Sequence, residues 1–161
     1  MGKYPEESVA MLGKIAAYTE AHRPTARLND FNRMSGQKKP DRAAEAVALM
    51  VEHAFDTLPC AAVFVPSLTG NTARMITRYN PPVWIVAMSH NESVCQGLAF
   101  SFGVHPVLIT EEPTSWSGFA RQWLHEHQMP GPIAMLVAGP APNHPDDDYR
   151  LEFLRIGEKP E

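Results

Sequence analysis

Short runs of uninterrupted apolar residues alternate with amphipathic segments over most of the chain. The apolar runs cover residues 60–66, 83–88, 104–110 and 132–138. Apolar runs without polar alternation are typical of parallel strands that helices cover on both faces, and segments with helical periodicity lie between these runs. The pattern therefore predicts a three-layer α/β sandwich.

Two helices are predicted before the first apolar run. The first begins at Pro5 and carries a rough apolar stripe that reaches about Ala21. Residues 24–40 show no period and are interpreted as a long connection. Asp41 is predicted to cap a second helix, whose apolar residues recur at i, i+3, i+4 and i+7: Ala44, Val47, Ala48, Val51 and Ala54.

The boundaries of the later elements rest on capping and breaking residues. Pro81-Pro82 is predicted to stop the helix that follows the first strand. The stretch 89–92 has the spacing of a capping box and predicts a helix to about Phe102. Thr114 is predicted to cap the next helix, whose apolar face carries Trp116, Phe119, Ala120, Trp123 and Leu124.

The end of the chain completes the predicted domain. Residues 149–156 alternate between polar and apolar types and predict a final strand. We interpret residues 1–161 as a single domain, with an N-terminal helix and linker over 1–40 and an α/β core over 41–157.

A polar, hydroxyl-rich loop, SLTGNT at residues 67–72, joins the first strand to its helix. In open α/β sheets, ligands bind where strands end and the following helices begin. Unpaired N–H groups around Gly70, Asn71 and Thr72, together with the hydroxyls of Ser67, Thr69 and Thr72, would favour an anion. The loop lacks the lysine of the GxxxxGK[ST] nucleotide loop. A capped turn that binds nothing stays an alternative at this point.

Nearby residues extend this candidate site. His90 and Asn91 follow the second strand on the same edge of the sheet and are predicted to form part of a pocket wall. Arg74 lies on the helix after the loop and is close enough along the chain to turn back toward an anion. A solvated helix face or an ion pair is the alternative for Arg74.

Composition narrows the classes of partner. The 161 residues carry a formal net charge of -4, which argues against nucleic acid and against an anionic membrane surface. No apolar run approaches the length of a bilayer-spanning helix, and the N-terminal residues do not resemble a secretory signal. A cytoplasmic protein is therefore expected.

Cysteine and histidine residues give no sign of a metal or cofactor. Cys60 and Cys95 lie in apolar surroundings without CxxC spacing and are interpreted as small core residues. His125 and His127 are two positions apart and point to different helix faces, which disfavours a shared metal ion. His144 beside three aspartates is interpreted as an exposed acidic turn.

Several segments, in the right order, resemble the C-terminal domain of pyruvate kinase. Residues 69–74 and 78–81, TGNTAR and RYNP, are similar to the family's TxSGxTA…SRYRP-like run. Residues 2–11 resemble the start of the last helix of that enzyme's barrel domain. Further similarity covers residues 45–58, 61–66, 103–106 and 131–139.

The resemblance implies a five-stranded, mostly parallel sheet with one antiparallel edge strand. It also implies an effector site for sugar phosphates, in which one phosphate is held by the loop Ser67–Thr72. The residues of this loop are Ser67, Leu68, Thr69, Gly70, Asn71 and Thr72. Trp116 resembles the tryptophan that contributes to a second phosphate site in some members. Trp123 stands where those members carry arginine, Arg121 is the nearest cation, and residues 140–148 are acidic and proline-rich. A monophosphate or inorganic anion is therefore expected rather than a bisphosphate.

The family's catalytic centre lies in its barrel domain, which this sequence does not contain. Phosphoryl transfer needs metal ions and cations that this chain does not provide. We therefore expect a non-catalytic, regulatory domain that binds a small phosphorylated metabolite or inorganic anion, without a cofactor, and that forms a homo-oligomer. The alternatives are a small enzyme that uses the same pocket and a module that assembles with a separate catalytic chain.

Overall fold

A computed structural model describes residues 3–22, 43–139 and 149–156, except for the side chain of Ala44. The predicted linker 24–40, the predicted cap Asp41 and the acidic turn around His144 lie outside these residues. The described residues fall into two compact units, an N-terminal helix and an α/β unit. None of the helices in these ranges has the length and hydropathy of a bilayer-spanning segment.

The N-terminal unit is helix α1, Pro5–Ala21, as the sequence predicts. Pro5 fits the first helical turn because its missing N–H would have no partner there. Glu6 and Glu7 place negative charge in the same turn, near the positive end of the helix dipole. No residue of α1 is buried.

The α/β unit contains five strands and four helices among its described residues. In chain order they are α2 (Ala43–Thr57), β1 (Cys60–Pro66), α3 (Asn71–Thr77), β2 (Trp84–Ser89), α4 (Glu92–Leu98), β3 (Val104–Leu108), α5 (Trp116–Glu126), β4 (Ile133–Ala138) and β5 (Arg150–Arg155). Every predicted strand is present, and the strand bounds agree with the apolar runs to within two residues.

The strands form one sheet in the order β3-β2-β1-β4-β5. The first four strands are parallel, and β5 pairs with β4 in the antiparallel direction. Pro106 lies in β3 at the edge of the sheet, where its missing N–H does the least damage to the hydrogen-bond ladder. The predicted fold class, a three-layer sandwich with a mostly parallel five-stranded sheet, is confirmed.

Two apolar cores lie on opposite faces of the sheet. The first is covered by α2, α3 and α4 and includes Val51, Ile76 and Leu98. The second is covered by α5 and centres on Phe64 of β1, which is 1% exposed. The Phe64 ring meets the rings of Phe119 and Trp123 edge-on, at centroid distances of 6.1 and 5.7 Å.

Three helix boundaries differ from the predictions. Asn91, rather than Ser89, caps α4, because its Oδ1 accepts hydrogen bonds from the N–H groups of Ser93 and Val94. Ser89 ends strand β2 instead, and α4 stops at Leu98 rather than near Phe102. The cap of α5 is Ser115, whose Oγ accepts from the Gly118 N–H, and not Thr114. Helix α3 ends at Thr77, before the two prolines.

Two tryptophans and two histidines, Trp84, His105, Trp123 and His127, form a cluster that we call the Trp–His cluster. The His127 ring stacks on Trp123 with the centroids 3.9 Å apart, and its Nδ1 lies 2.8 Å from the Trp123 carbonyl oxygen. The His105 ring lies 5.3 Å from Trp123 and 5.4 Å from His127. Burial lowers the pKa of His105, and the neighbouring His127 lowers it further.

This lowered pKa predicts an acid-sensitive contribution to stability. The unfolded chain binds a proton at His105 near the ordinary histidine pKa of about 6.5, whereas the folded chain binds it only at lower pH. The contribution of neutral His105 to the free energy of unfolding is therefore complete above about pH 6.5 and is lost as the pH falls toward the pKa of the folded state. We expect the thermal midpoint of His105→Gln to fall less than that of the wild type between pH 7.5 and pH 5.5. His125→Gln, at an exposed position, is the matched control. Parallel curves of thermal midpoint against pH for the wild type and both variants would refute the assignment.

Candidate functional site

A cavity of about 560 Å³ opens at the edge of the sheet where the parallel strands end. Its walls come from the segments that follow β1, β2, β3 and β4 and from the start of β5, which runs in the opposite direction. The lining residues are Pro66, Ser67, Leu68, Thr69, Asn71, Thr72, Met88, Ser89, His90, Ile109, Glu112, Trp116, Ala138, Gly139, Tyr149 and Arg150.

The 67–72 loop forms one wall and is ordered by its own hydrogen bonds. The Ser67 N–H donates to the Met88 carbonyl oxygen at 2.8 Å, which ties the start of the loop to β2. The Gly70 N–H donates to Ser67 Oγ at 2.9 Å, and the Asn71 N–H points at Thr69 Oγ1 at 3.4 Å. The prediction that the amides of Gly70 and Asn71 are unpaired is therefore wrong. Because both hydroxyl oxygens accept from the backbone, their O–H hydrogens are left to donate elsewhere.

Gly70 determines the shape of this loop. It has φ 77° and ψ 1°, a left-handed conformation that a side chain disfavours. A β-carbon at this position would lie 3.0 Å from Leu98 Cδ2 and 3.1 Å from Arg74 Nη1. Both the backbone angle and the space therefore require glycine here.

The structure brings most of the sequence-predicted site residues to the cavity. Those that line it are Ser67, Leu68, Thr69, Asn71, Thr72, His90 and Trp116. Gly70 is a buried residue of the loop and does not line the cavity, and Asn91 is occupied as the cap of α4. The Arg121 Nε donates to the Ile156 carbonyl oxygen at 3.3 Å, so this side chain is held away from the lining.

Arg74 also takes a different position from the predicted one. Its guanidinium Nη1 donates to the Thr69 carbonyl oxygen at 3.0 Å, so the side chain does turn back to the loop. It is not among the lining residues of the cavity. Arg74 therefore contacts the loop itself, rather than the space that the loop borders.

Sequence reasoning missed Arg150, a cation that lines the cavity. It pairs in register with Ala138, the last residue of β4, because β5 is antiparallel to its neighbour. Because β5 is antiparallel to β4, the start of β5 lies beside the end of β4. The predicted strand at 149–156, taken as the antiparallel edge strand, could therefore have indicated Arg150. Arg150 Nε also lies 2.7 Å from Glu152 Oε1, in an exposed ion pair.

The charge around the cavity is mixed. Arg150 favours an anion, whereas the carboxylate of Glu112, which is also a lining residue, disfavours one beside it. The absence of a side chain at Gly139 lets the end of β4 lie close to the loop, since a β-carbon there would be 2.9 Å from Thr72 Oγ1. Within the described ranges, no group of three or more His, Cys, Asp or Glu side chains is arranged to hold a metal ion.

Comparison with known proteins places the chain in a family. The family model "Pyruvate kinase, alpha/beta domain" matches residues 45–139. Pyruvate kinase from Thermococcus litoralis is 39% identical over 114 residues, which cover 69% of this chain and 24% of that enzyme. Pyruvate kinase from Lactobacillus delbrueckii is 29% identical over 142 residues, or 86% of this chain and 24% of the enzyme. The chain thus spans about a quarter of the length of these relatives.

Solved structures show the same fold. Pyruvate kinase from Cryptosporidium parvum, in complex with ADP, superposes with a TM-score of 0.66 and 24% sequence identity. The match covers 77% of this chain and 26% of that one. The 67–72 loop and the overlapping TGNTAR segment, residues 69–74, lie inside the residues that the family model matches. The chain therefore belongs to the family of pyruvate kinase α/β domains.

Proposed function

We propose that this domain binds phosphate or a sugar-phosphate-type anion at the 67–72 loop and that it acts as a non-catalytic, regulatory module. The observation that carries the proposal is the 560 Å³ cavity at the carboxyl edge of the sheet, with the hydroxyl-bearing loop in its wall. A cavity of this volume is large enough for a small metabolite. The loop and the cation Arg150 both line this cavity.

Hydrogen-bond donors support an anionic ligand. Ser67 and Thr69 already accept from the loop backbone, so their hydroxyl hydrogens can donate to a phosphate oxygen. Thr72 supplies a third hydroxyl, and Arg150 supplies a guanidinium that suits phosphate geometry. The carboxylate of Glu112 in the lining favours a ligand with a single phosphate over one with several anionic groups.

Removal of one hydroxyl tests the proposal directly. Thr72→Val keeps the shape of the side chain but deletes a donor, and a hydrogen bond to a charged group contributes about 1.5–3 kcal/mol. We expect isothermal titration with inorganic phosphate and with sugar monophosphates to show affinity reduced by a factor of about 10 to 100. Thr57→Val, at the exposed end of α2, is the matched control and keeps the wild-type affinity.

A second measurement checks the same binding without calorimetry. A ligand that binds only the folded state raises the thermal midpoint as its concentration increases. We expect phosphate to raise the midpoint of the wild type and of Thr57→Val, but much less that of Thr72→Val. The absence of both heat and midpoint shift with millimolar phosphate and sugar phosphates would refute the proposal.

We further propose that the chain forms a homo-oligomer in the cytoplasm. A mostly apolar groove lies between α2 and β5, at one end of the sheet, and its lining includes Met50 and Phe153, which are 61% and 49% exposed. Such exposed apolar surface favours association. Cys60 and Cys95 are free thiols, as expected of a reducing compartment. Light scattering after size-exclusion chromatography tests the assembly, and a monomer at all concentrations would refute it.

A further inference from the structure

Arg74 holds two consecutive carbonyl groups of the 67–72 loop. Its backbone N–H donates to the Gly70 carbonyl oxygen at 3.0 Å, and its guanidinium Nη1 donates to the Thr69 carbonyl oxygen at 3.0 Å. The first bond belongs to the opening turn of α3. The second is a side-chain contact that neighbouring residues of the helix do not provide. Arg74, which is not a lining residue of the cavity, thereby holds the peptide units on both sides of Gly70.

Two glycines leave room for this guanidinium. A β-carbon on Gly70 would lie 3.1 Å from Arg74 Nη1, and a β-carbon on Gly97 of α4 would lie 3.3 Å from Arg74 Nη2. Both distances are shorter than ordinary van der Waals contact between a carbon and its neighbour. The guanidinium therefore lies between the loop and helix α4, in space that a side chain at either glycine would narrow.

The orientation of the loop hydroxyls depends on these two peptide units. Ser67 Oγ accepts from the Gly70 N–H, and Thr69 Oγ1 lies on the residue whose carbonyl Arg74 holds. A rotation of the Thr69–Gly70 peptide would break the bond that orients Ser67 Oγ. The bond from the Asn71 N–H to Thr69 Oγ1 depends on the next peptide unit, whose carbonyl accepts from the Arg74 backbone N–H. A planar donor on a charged group resists that rotation better than a solvent hydrogen bond.

We propose that Arg74 is a positioning residue for the anion site: it holds the Thr69 carbonyl so that the loop hydroxyls keep their orientation, and it does not contact the anion. This inference rests on the proposed function of the loop. The competing role is simple attraction, in which the positive charge of Arg74 raises anion affinity from a distance. Attraction depends on charge and is screened by salt, whereas positioning depends on the donor and its geometry.

Three variants separate the two roles. Arg74→Met removes both the donors and the charge from an unbranched side chain. Arg74→Lys keeps the charge, most of the reach and one donor nitrogen, although it lacks the planar fork. Arg78→Met makes the same charge change at the C-cap of α3, four residues further along the chain, at an exposed position that does not border the cavity. Arg78→Met is therefore the matched control.

The first readout is amide hydrogen exchange of residues 69–72 in the protein without ligand. We expect Arg74→Met to accelerate exchange in this loop about tenfold, since one hydrogen bond from a charged donor is lost. Arg74→Lys recovers most of the protection, and Arg78→Met exchanges like the wild type. Equal exchange in Arg74→Met and Arg78→Met would overturn the proposal whether or not phosphate binds.

The second readout is the dissociation constant for inorganic phosphate at 0.05 and 0.5 M salt. Positioning predicts that Arg74→Met weakens binding about tenfold at both salt concentrations, while Arg78→Met has a small effect that salt removes. Similar losses in the two variants that both vanish in high salt would show attraction and overturn the proposal. Faster loop exchange in Arg74→Met, with no phosphate binding by the wild type, would refute the proposed function and leave the positioning role supported.

Discussion

Replacing Gly70 with alanine is expected to lower the free energy of unfolding by about 2–5 kcal/mol and to abolish phosphate binding. Two costs add up at this position. A β-carbon in the left-handed conformation costs about 1–2 kcal/mol, and the same atom would lie 3.0 Å from Cδ2 of the fully buried Leu98. Forcing an extra carbon into a filled core costs about 1–3 kcal/mol. Denaturant unfolding measures the sum.

Gly103 separates these two costs. It also has a positive φ, 66°, but a β-carbon there would meet no other atom within 4 Å. Gly103→Ala should therefore lose only the backbone part, about 1–2 kcal/mol, and should keep the phosphate affinity of the wild type. Equal losses for the two variants would show that Leu98 and Arg74 do not limit the space at Gly70.

Replacing Phe64 with alanine is expected to have the largest effect on stability, about 3–5 kcal/mol. The ring is 1% exposed at the centre of the core beneath α5, and the rings of Phe119 and Trp123 meet it edge-on. Truncation removes buried apolar surface and leaves a cavity that strands β2 and β4 on either side prevent from collapsing. Chemical denaturation followed by circular dichroism measures the loss.

A surface phenylalanine provides the control for this prediction. Phe100 is 95% exposed, so Phe100→Ala should change the free energy of unfolding by no more than about 0.5 kcal/mol. Phe64→Leu should lose less than Phe64→Ala because it fills part of the volume. A loss below about 1 kcal/mol for Phe64→Ala would contradict the central place of this ring in the core.

The architecture could be predicted from sequence because both faces of the sheet are covered. Strands such as Ile133–Ala138 are buried on both sides, so they appear as continuous apolar runs that differ from the amphipathic helices around them. Helix boundaries were less predictable because several residues with capping side chains stand next to each other. Thr114 and Ser115 are both good caps, and only the backbone geometry of the turn selects Ser115.

The part of the candidate site that is continuous in sequence could be predicted, whereas the parts that depend on contacts between distant residues were missed. The 67–72 loop is continuous in sequence, and its hydroxyls could be recognised from their types and spacing. The pairing of Gly70 N–H with Ser67 Oγ depends on loop conformation, which no spacing rule determines. Arg150 reaches the cavity through the register of β4 and β5, and Arg121 is turned away by a contact with Ile156. Such contacts arise only after the chain has folded.

The strand order has a consequence for when the cavity becomes complete. The β1–β2 and β2–β3 pairs join strands that follow one another along the chain, whereas β1 also pairs with β4, as at Val63 and Met135. Contacts between distant residues close long loops and tend to form late in folding. The wall formed by residues 67–72 can therefore take shape early, while the wall with Gly139 and Arg150 must wait for β4 and β5. A chain emerging from the ribosome would therefore form the cavity wall at residues 67–72 before the wall that contains Arg150.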